Sequence, residues 1–126
     1  MTRSTPKTRP VIHGVGRWGH PNLRTWEPQN PDDVAEELML DIGSRGKKGA
    51  DNFTLRVATP TGLSRLPSEH GIIATRPLLV MARYDYADLW SWLEQTVETC
   101  GGETWLDCVA ELRQYFSWEF EGMTRV

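Results

Sequence analysis

Basic residues are nearly missing from the C-terminal third of this 126-residue chain. Between Asp85 and Glu121 there are nine carboxylates (Asp85, Asp88, Glu94, Glu98, Glu103, Asp107, Glu111, Glu119, Glu121) and one cation, Arg113. Such a segment repels nucleic acid and attracts a basic partner. Cysteine is scarce too. With only Cys100 and Cys108, and an N-terminus (MTRSTPKTRP) that lacks an apolar core, the chain does not read as a secreted disulfide scaffold. Buried thiols in a reducing cytoplasm are expected. No apolar run approaches the ~18 residues of a membrane span.

The constellations of catalysis are equally thin. The G-V-G of Gly14–Gly16 lacks the third glycine and the helix of a dinucleotide loop. Gly62-Leu63-Ser64-Arg65-Leu66 lacks the second glycine of a nucleophile elbow. His13, His20 and His70 have no cysteine or carboxylate at ligand spacing, and no histidine falls in the helical region to activate either thiol. No enzyme, no cofactor and no metal centre is expected.

What is present is a strongly patterned stretch from Tyr84 to Phe120. Leu89, Leu93, Thr96, Val97 and Cys100 recur at helical spacing, and Trp105, Val109, Leu112 and Phe116 repeat the pattern after Gly101-Gly102. Asp85 and Thr104 are placed to cap the two helices, with Asp88 and Asp107 three residues on. The double glycine predicts a left-handed stop between them. On the helical wheel Glu94 and Glu98 lie opposite Leu89 and Leu93, while Glu103, Asp107 and Glu111 point away from the second apolar stripe. Four of the six tryptophans (Trp90, Trp92, Trp105, Trp118) flank these stripes and are expected mainly in the core.

Upstream the period changes to two. A short strand is predicted from Pro10 to Val15, and another from Glu36 to Gly43, where Leu38, Leu40 and Ile42 alternate with polar positions. Ser44 to Asn52 reads as a solvated hairpin loop, and Phe53 to Ala58 as the return strand, ended by Thr59-Pro60. A helical turn is expected over 61–66. The run Leu78–Ala82, apolar on both faces, predicts a central strand from Arg76 to Tyr84. Trp118 and Phe120 suggest a final short strand. The expected fold class is α+β: a mostly antiparallel sheet of about four or five strands with two C-terminal helices on one face. Residues 1–9 are expected to be disordered and 10–126 to form one domain. The first thirty residues carry five cations against Glu27, too scattered to make a strong nucleic-acid patch.

Four segments, in order, resemble one known family. They are Gly49–Pro60 (G-x-x-x-F-x-x-x-V-x-T-P), Leu78–Tyr86 with its Y-D-Y junction, Cys100–Trp105 (C-x-G-x-T-W), and Trp118–Glu121 (W-E-F-E). The chain resembles immunity protein family 8 of bacterial polymorphic-toxin and contact-dependent inhibition systems, over about residues 10–121. The resemblance implies a cytoplasmic antitoxin that blocks a cognate toxin domain by binding it, without catalysis. It also implies an antiparallel sheet with C-terminal helices similar to the Whirly single-stranded-DNA-binding architecture. Many such toxins are nucleases with basic channels, so Glu94, Glu98, Glu103, Asp107 and Glu111 are the expected toxin-binding carboxylates, with Trp90 as an aromatic anchor. A single-stranded nucleic-acid-binding module is the alternative.

Overall fold

The computed structural model describes residues 7–74 and 76–121. Strand β1 (Pro10–Arg17) pairs antiparallel with β2 (Ala35–Ser44), and β2 pairs antiparallel with β3 (Asp51–Ala58). β4 (Leu78–Val80) joins β3 in parallel, and helices α1 (Tyr86–Glu98) and α2 (Trp105–Leu112) precede β5 (Ser117–Trp118), antiparallel to β3. The expected α+β fold with a mostly antiparallel sheet is therefore what forms.

The two-residue alternation decides which face of the sheet is covered. Leu38, Leu40 and Ile42 of β2 are buried, as are Phe53, Leu55 and Val57 of β3, and they form one core with Leu89, Leu93, Val97, Val109, Leu112 and Phe116. Each fully buried leucine or phenylalanine contributes roughly 1.5–3 kcal/mol. The opposite face carries Glu37, Met39, Asp41 and Arg56 and stays open, with Arg56 and Glu37 paired across strands at 3.3 Å.

The loops close with few devices. Gly46, at φ +82°, turns the β2–β3 hairpin, and Gly43 has no room for a side chain because a Cβ there would sit 2.1 Å from the Gly49 carbonyl oxygen. Buried Thr59 ends β3 as a junction. Its hydroxyl donates to Asp32 O at 2.8 Å and accepts from Val34 N at 2.9 Å and Gly62 N at 3.3 Å. That hydroxyl is the physical content of the T-P ending, and it ties the segment before β2 to the 3-10 turn Gly62–Arg65.

Three expectations are corrected. The strand predicted from Arg76 to Tyr84 is only three residues long and marginal, not central. β5 occupies the same edge of β3 at Phe53 and Thr54, which leaves β4 only Arg56 to Ala58. Beyond Val80, Met81 N–H donates to Ala58 O at 2.9 Å; Tyr84 N–H then donates to Pro31 O at 2.8 Å, turning the chain into α1. The two-sided apolarity resolves into Leu79 against the core and Val80, 49% exposed, on the open face.

The second correction is the double glycine, since neither Gly101 nor Gly102 has a positive φ. Helix α1 ends through Thr99 in right-handed geometry, its N–H reaching the Thr96 and Val97 carbonyls. Gly102 is needed for space: a Cβ would lie 2.6 Å from Asp107 Cβ. The third concerns the tryptophans. Trp90, Trp92, Trp105 and Trp118 pack against the core only in part, each with some surface in solvent.

The disorder expected for residues 1–9 falls mostly on 1–6, which lie outside the described residues. Thr8 exchanges backbone hydrogen bonds with Gly102, at 2.8 and 3.1 Å, beside the end of α1. Among the described residues no helix is long and apolar enough to cross a membrane.

Candidate functional site

Helix α1 begins where Asp85, in extended geometry, accepts the Asp88 N–H at 3.0 Å. Residues four apart then stack into two ridges. Leu89, Leu93 and Val97 face the sheet. Tyr86, Trp90, Glu94 and Glu98 form the neighbouring ridge, along which the Tyr86 and Trp90 rings stack at 6.4 Å with 15° between planes. This ridge borders the outer strand β1. Trp90, Glu94, Val97 and Glu98 form one wall of a groove, opposite Pro10, Val11 and Ile12, with Arg45 at its end. A second hollow continues past Trp90 and is lined by Gly14, Val15, Asn22, Arg24 and Tyr86.

Of the sequence-predicted residues, the structure brings Trp90, Glu94 and Glu98 together in this groove. Glu94 and Glu98 are exposed and have no ion pair or hydrogen-bond partner among the described residues. Glu103, Asp107 and Glu111 lie on α2 and its approach, and each already has a partner within the protein. Glu103 meets Lys7 at 3.6 Å, with both side chains largely in solvent. Asp107 completes a capping box with Thr104: its carboxylate accepts Thr104 N–H at 3.2 Å and its own N–H donates to Thr104 Oγ1 at 3.2 Å, which commits the carboxylate to the helix start. Glu111 accepts from the Gln114 side-chain amide at 2.7 Å.

The acidic segment is therefore less naked than its sequence. Glu121 accepts from Arg113 Nε and Ser117 Oγ, each at 2.9 Å, and the Arg113 hydrogen bond holds its carboxyl below the usual range. Glu119 accepts from Asn52 N at 3.0 Å and from its side-chain amide at 3.4 Å. Of the two glutamates of the W-E-F-E ending, Glu119 clamps β5 onto β3 and Glu121 ties it to the end of α2. The cations that approach the acidic helices come from elsewhere in the chain. Lys7, Arg9, Arg45 and Lys47 line a depression with Thr8 and Ser44, beside the α1 groove and sharing Arg45 with it. Sequence reading treated the basic head and the Gly-Lys hairpin separately; nothing local in either reveals that they fold together.

Other features were also missed. Trp18 is 84% exposed at a two-residue turn closed by reciprocal Arg17–His20 backbone bonds of 2.8 Å. The Arg17 guanidinium lies 5.0 Å over the Trp26 ring and 3.0 Å from Glu36, and Trp26 meets Tyr84 edge-on at 5.2 Å. The only forewarning was an arginine among aromatic residues.

Cys100 and Cys108 are buried and free, and burial pushes both thiols up, away from nucleophilic character. Among the described residues no group of three or more His, Cys, Asp or Glu side chains is placed to hold a metal ion. What the groove gathers is an aromatic side chain, two unpaired carboxylates and a strand edge.

Searches of curated proteins and of solved structures return no match. The family model described as Immunity protein 8 matches residues 11–123, nearly the whole chain and the same stretch that carries the four motifs. This chain belongs to the Immunity protein 8 family, and with that membership comes the role of an immunity protein directed at a toxin.

Proposed function

We propose that the protein acts in the cytoplasm by non-catalytic association with its cognate toxin, and that the α1 ridge is the centre of the binding surface. Trp90 supplies the apolar anchor; Glu94 and Glu98 supply unpaired charge. Glu103, Asp107 and Glu111 extend the negative field along α2. The partner this surface suits is a nuclease, whose basic substrate channel would be filled or overlaid by the carboxylates. What carries the reading is the pair Glu94 and Glu98, exposed and without an ion pair beside an aromatic side chain, on a chain of this family. Rim charges of this kind mainly raise the association rate and make it salt-dependent.

The test is co-expression with the toxin domain encoded beside this chain, followed by titration of the purified pair. Growth rescue with co-purification is expected. The double variant Glu94→Lys/Glu98→Lys should weaken binding by about tenfold or more at low salt and flatten its salt dependence. Unchanged affinity and salt slope would remove the ridge from the interface.

The depression lined by Lys7, Arg9, Arg45 and Lys47 favours one second reading, a module for single-stranded nucleic acid. Filter binding of single-stranded DNA at low salt separates the two. Tight binding lost in Arg9→Ala/Arg45→Ala supports the second reading, and no retention dismisses it.

A further inference from the structure

The groove beside α1 has a floor that side chains alone do not explain. β1 is the outer strand of the sheet, and its ladder with β2 uses only half of its backbone groups. The direction of each group follows from the bonds at the two ends. Arg9 O accepts from Arg45 N at 2.8 Å, so Arg9 faces β2 and, by alternation, so does Val11. Ile12, between Val11 and the irregularity that precedes Gly14, then directs its N–H and C=O outward. At the far end Arg17 exchanges its backbone bonds with His20 and not with β2, the direction expected once the extra residue between Ile12 and Gly14 has reversed the alternation, and this closes that end of the edge. Thr8, bonded to Gly102, closes the other end. What remains open is a short stretch of edge centred on Ile12, beside Trp90, Glu94 and Glu98, with Arg45 in the same groove but in ion-pair contact with neither glutamate.

We infer that this opening receives an extended segment of the toxin, added as a short strand along Pro10–Ile12 and carrying at least one arginine or lysine. The inference rests on the toxin-binding reading above and adds its mode and the chemistry of the partner segment. Charge complementarity identifies the occupant. A strand laid on this edge presents alternate side chains to α1, where two unpaired carboxylates four residues apart flank an indole. A guanidinium can stack on Trp90 while donating to Glu94 or Glu98. Backbone pairing to Ile12 would supply register, and the carboxylates would select the cationic side chain. The open opposite face of the sheet offers no strand edge beside its acids, and there Glu37 is already paired with Arg56, leaving Asp41 without an aromatic side chain or a second carboxylate beside it on its strand.

Hydrogen exchange on the native protein, alone and with the toxin domain encoded beside it, tests the inference without mutation. Slowing of the Ile12 amide by at least tenfold on complex formation is the expected result. A complex in which Ile12 exchanges unchanged, or in which protection appears instead around Met39, Thr54 and Val80, overturns the strand addition while leaving toxin binding intact. Failure to form any complex overturns both. Ile12→Pro gives a second readout, because it removes an outward N–H that β2 does not use. Binding should weaken at least tenfold, whereas Ile12→Val should bind as the parent does. Equal affinity of a folded Ile12→Pro protein overturns the inference.

Discussion

Trp105 Nε1–H donates to Asp51 Oδ2 at 2.9 Å, joining the first residue of α2 to the first residue of β3. The same oxygen accepts Trp118 Nε1–H at 3.0 Å, so one carboxylate holds α2, β3 and β5 at a single point. The sequence expectation that these tryptophans are core residues is half the explanation. Their rings pack inward, and their N–H groups need an acceptor where they do.

Replacing Asp51 by alanine leaves two partly buried indole donors without that acceptor. An unsatisfied donor costs about 1–3 kcal/mol, so Asp51→Ala should lose about 2–4 kcal/mol of stability. Asp51→Asn, which keeps a carbonyl oxygen, should lose less than half of that. Urea unfolding followed by tryptophan fluorescence measures both; equal stability of Asp51→Ala and parent would refute the role.

Thr59 makes a similar case just past the end of β3. Its hydroxyl serves Asp32, Val34 and Gly62, and no part of the residue reaches solvent. Thr59→Val keeps the shape and strands three backbone groups, which predicts a loss of about 2–4 kcal/mol, with Thr59→Ser recovering most of it. Differential scanning calorimetry reads this as a Tm lowered clearly in the valine variant and only slightly in the serine variant.

Tyr84 sets a limit at high pH. Burial, reinforced by the neighbouring Tyr86 and Asp85, pushes its phenol up to about 12, and its hydroxyl has no hydrogen-bond partner. The folded state therefore prefers the neutral phenol more strongly than the unfolded chain does. That preference is fully present below the unfolded value of ~10 and is lost as pH rises through the folded value. Stability should fall between about pH 10 and 12 by a step that disappears in Tyr84→Phe. At neutral pH the phenylalanine variant should be at least as stable as the parent, because the hydroxyl it removes is unpaired. Stability curves against pH for the two proteins decide the matter.

These residues also show how far local patterning reaches. The helix starts were legible because a cap and its partner lie three residues apart, as Asp85–Asp88 and Thr104–Asp107 do. The β2–β3 hairpin was legible because alternation over Leu38–Ile42 and Phe53–Val57 marks one covered face. β4 was misjudged because apolar residues on both faces of a run do not state how many neighbours the strand will have; β5, far along the chain, took half of its edge. The ridge of Trp90, Glu94 and Glu98 follows from helical spacing alone, so that part of the candidate site could be read directly. Its opposite wall could not, because β1 and Arg45 arrive there through the order of strands in the sheet. The pairing of Glu103 with Lys7 escaped for the same reason, and with it the true distribution of charge.

The division of β3 between two short neighbours has a practical side. β5 shields the beginning of that strand and β4 its end, so a chain cut ahead of Ser117 would leave Phe53 and Thr54 with a bare hydrogen-bonding margin. Bare margins recruit strands from other molecules. Versions shortened ahead of Ser117 should therefore self-associate before they lose their helices, which light scattering beside circular dichroism would show.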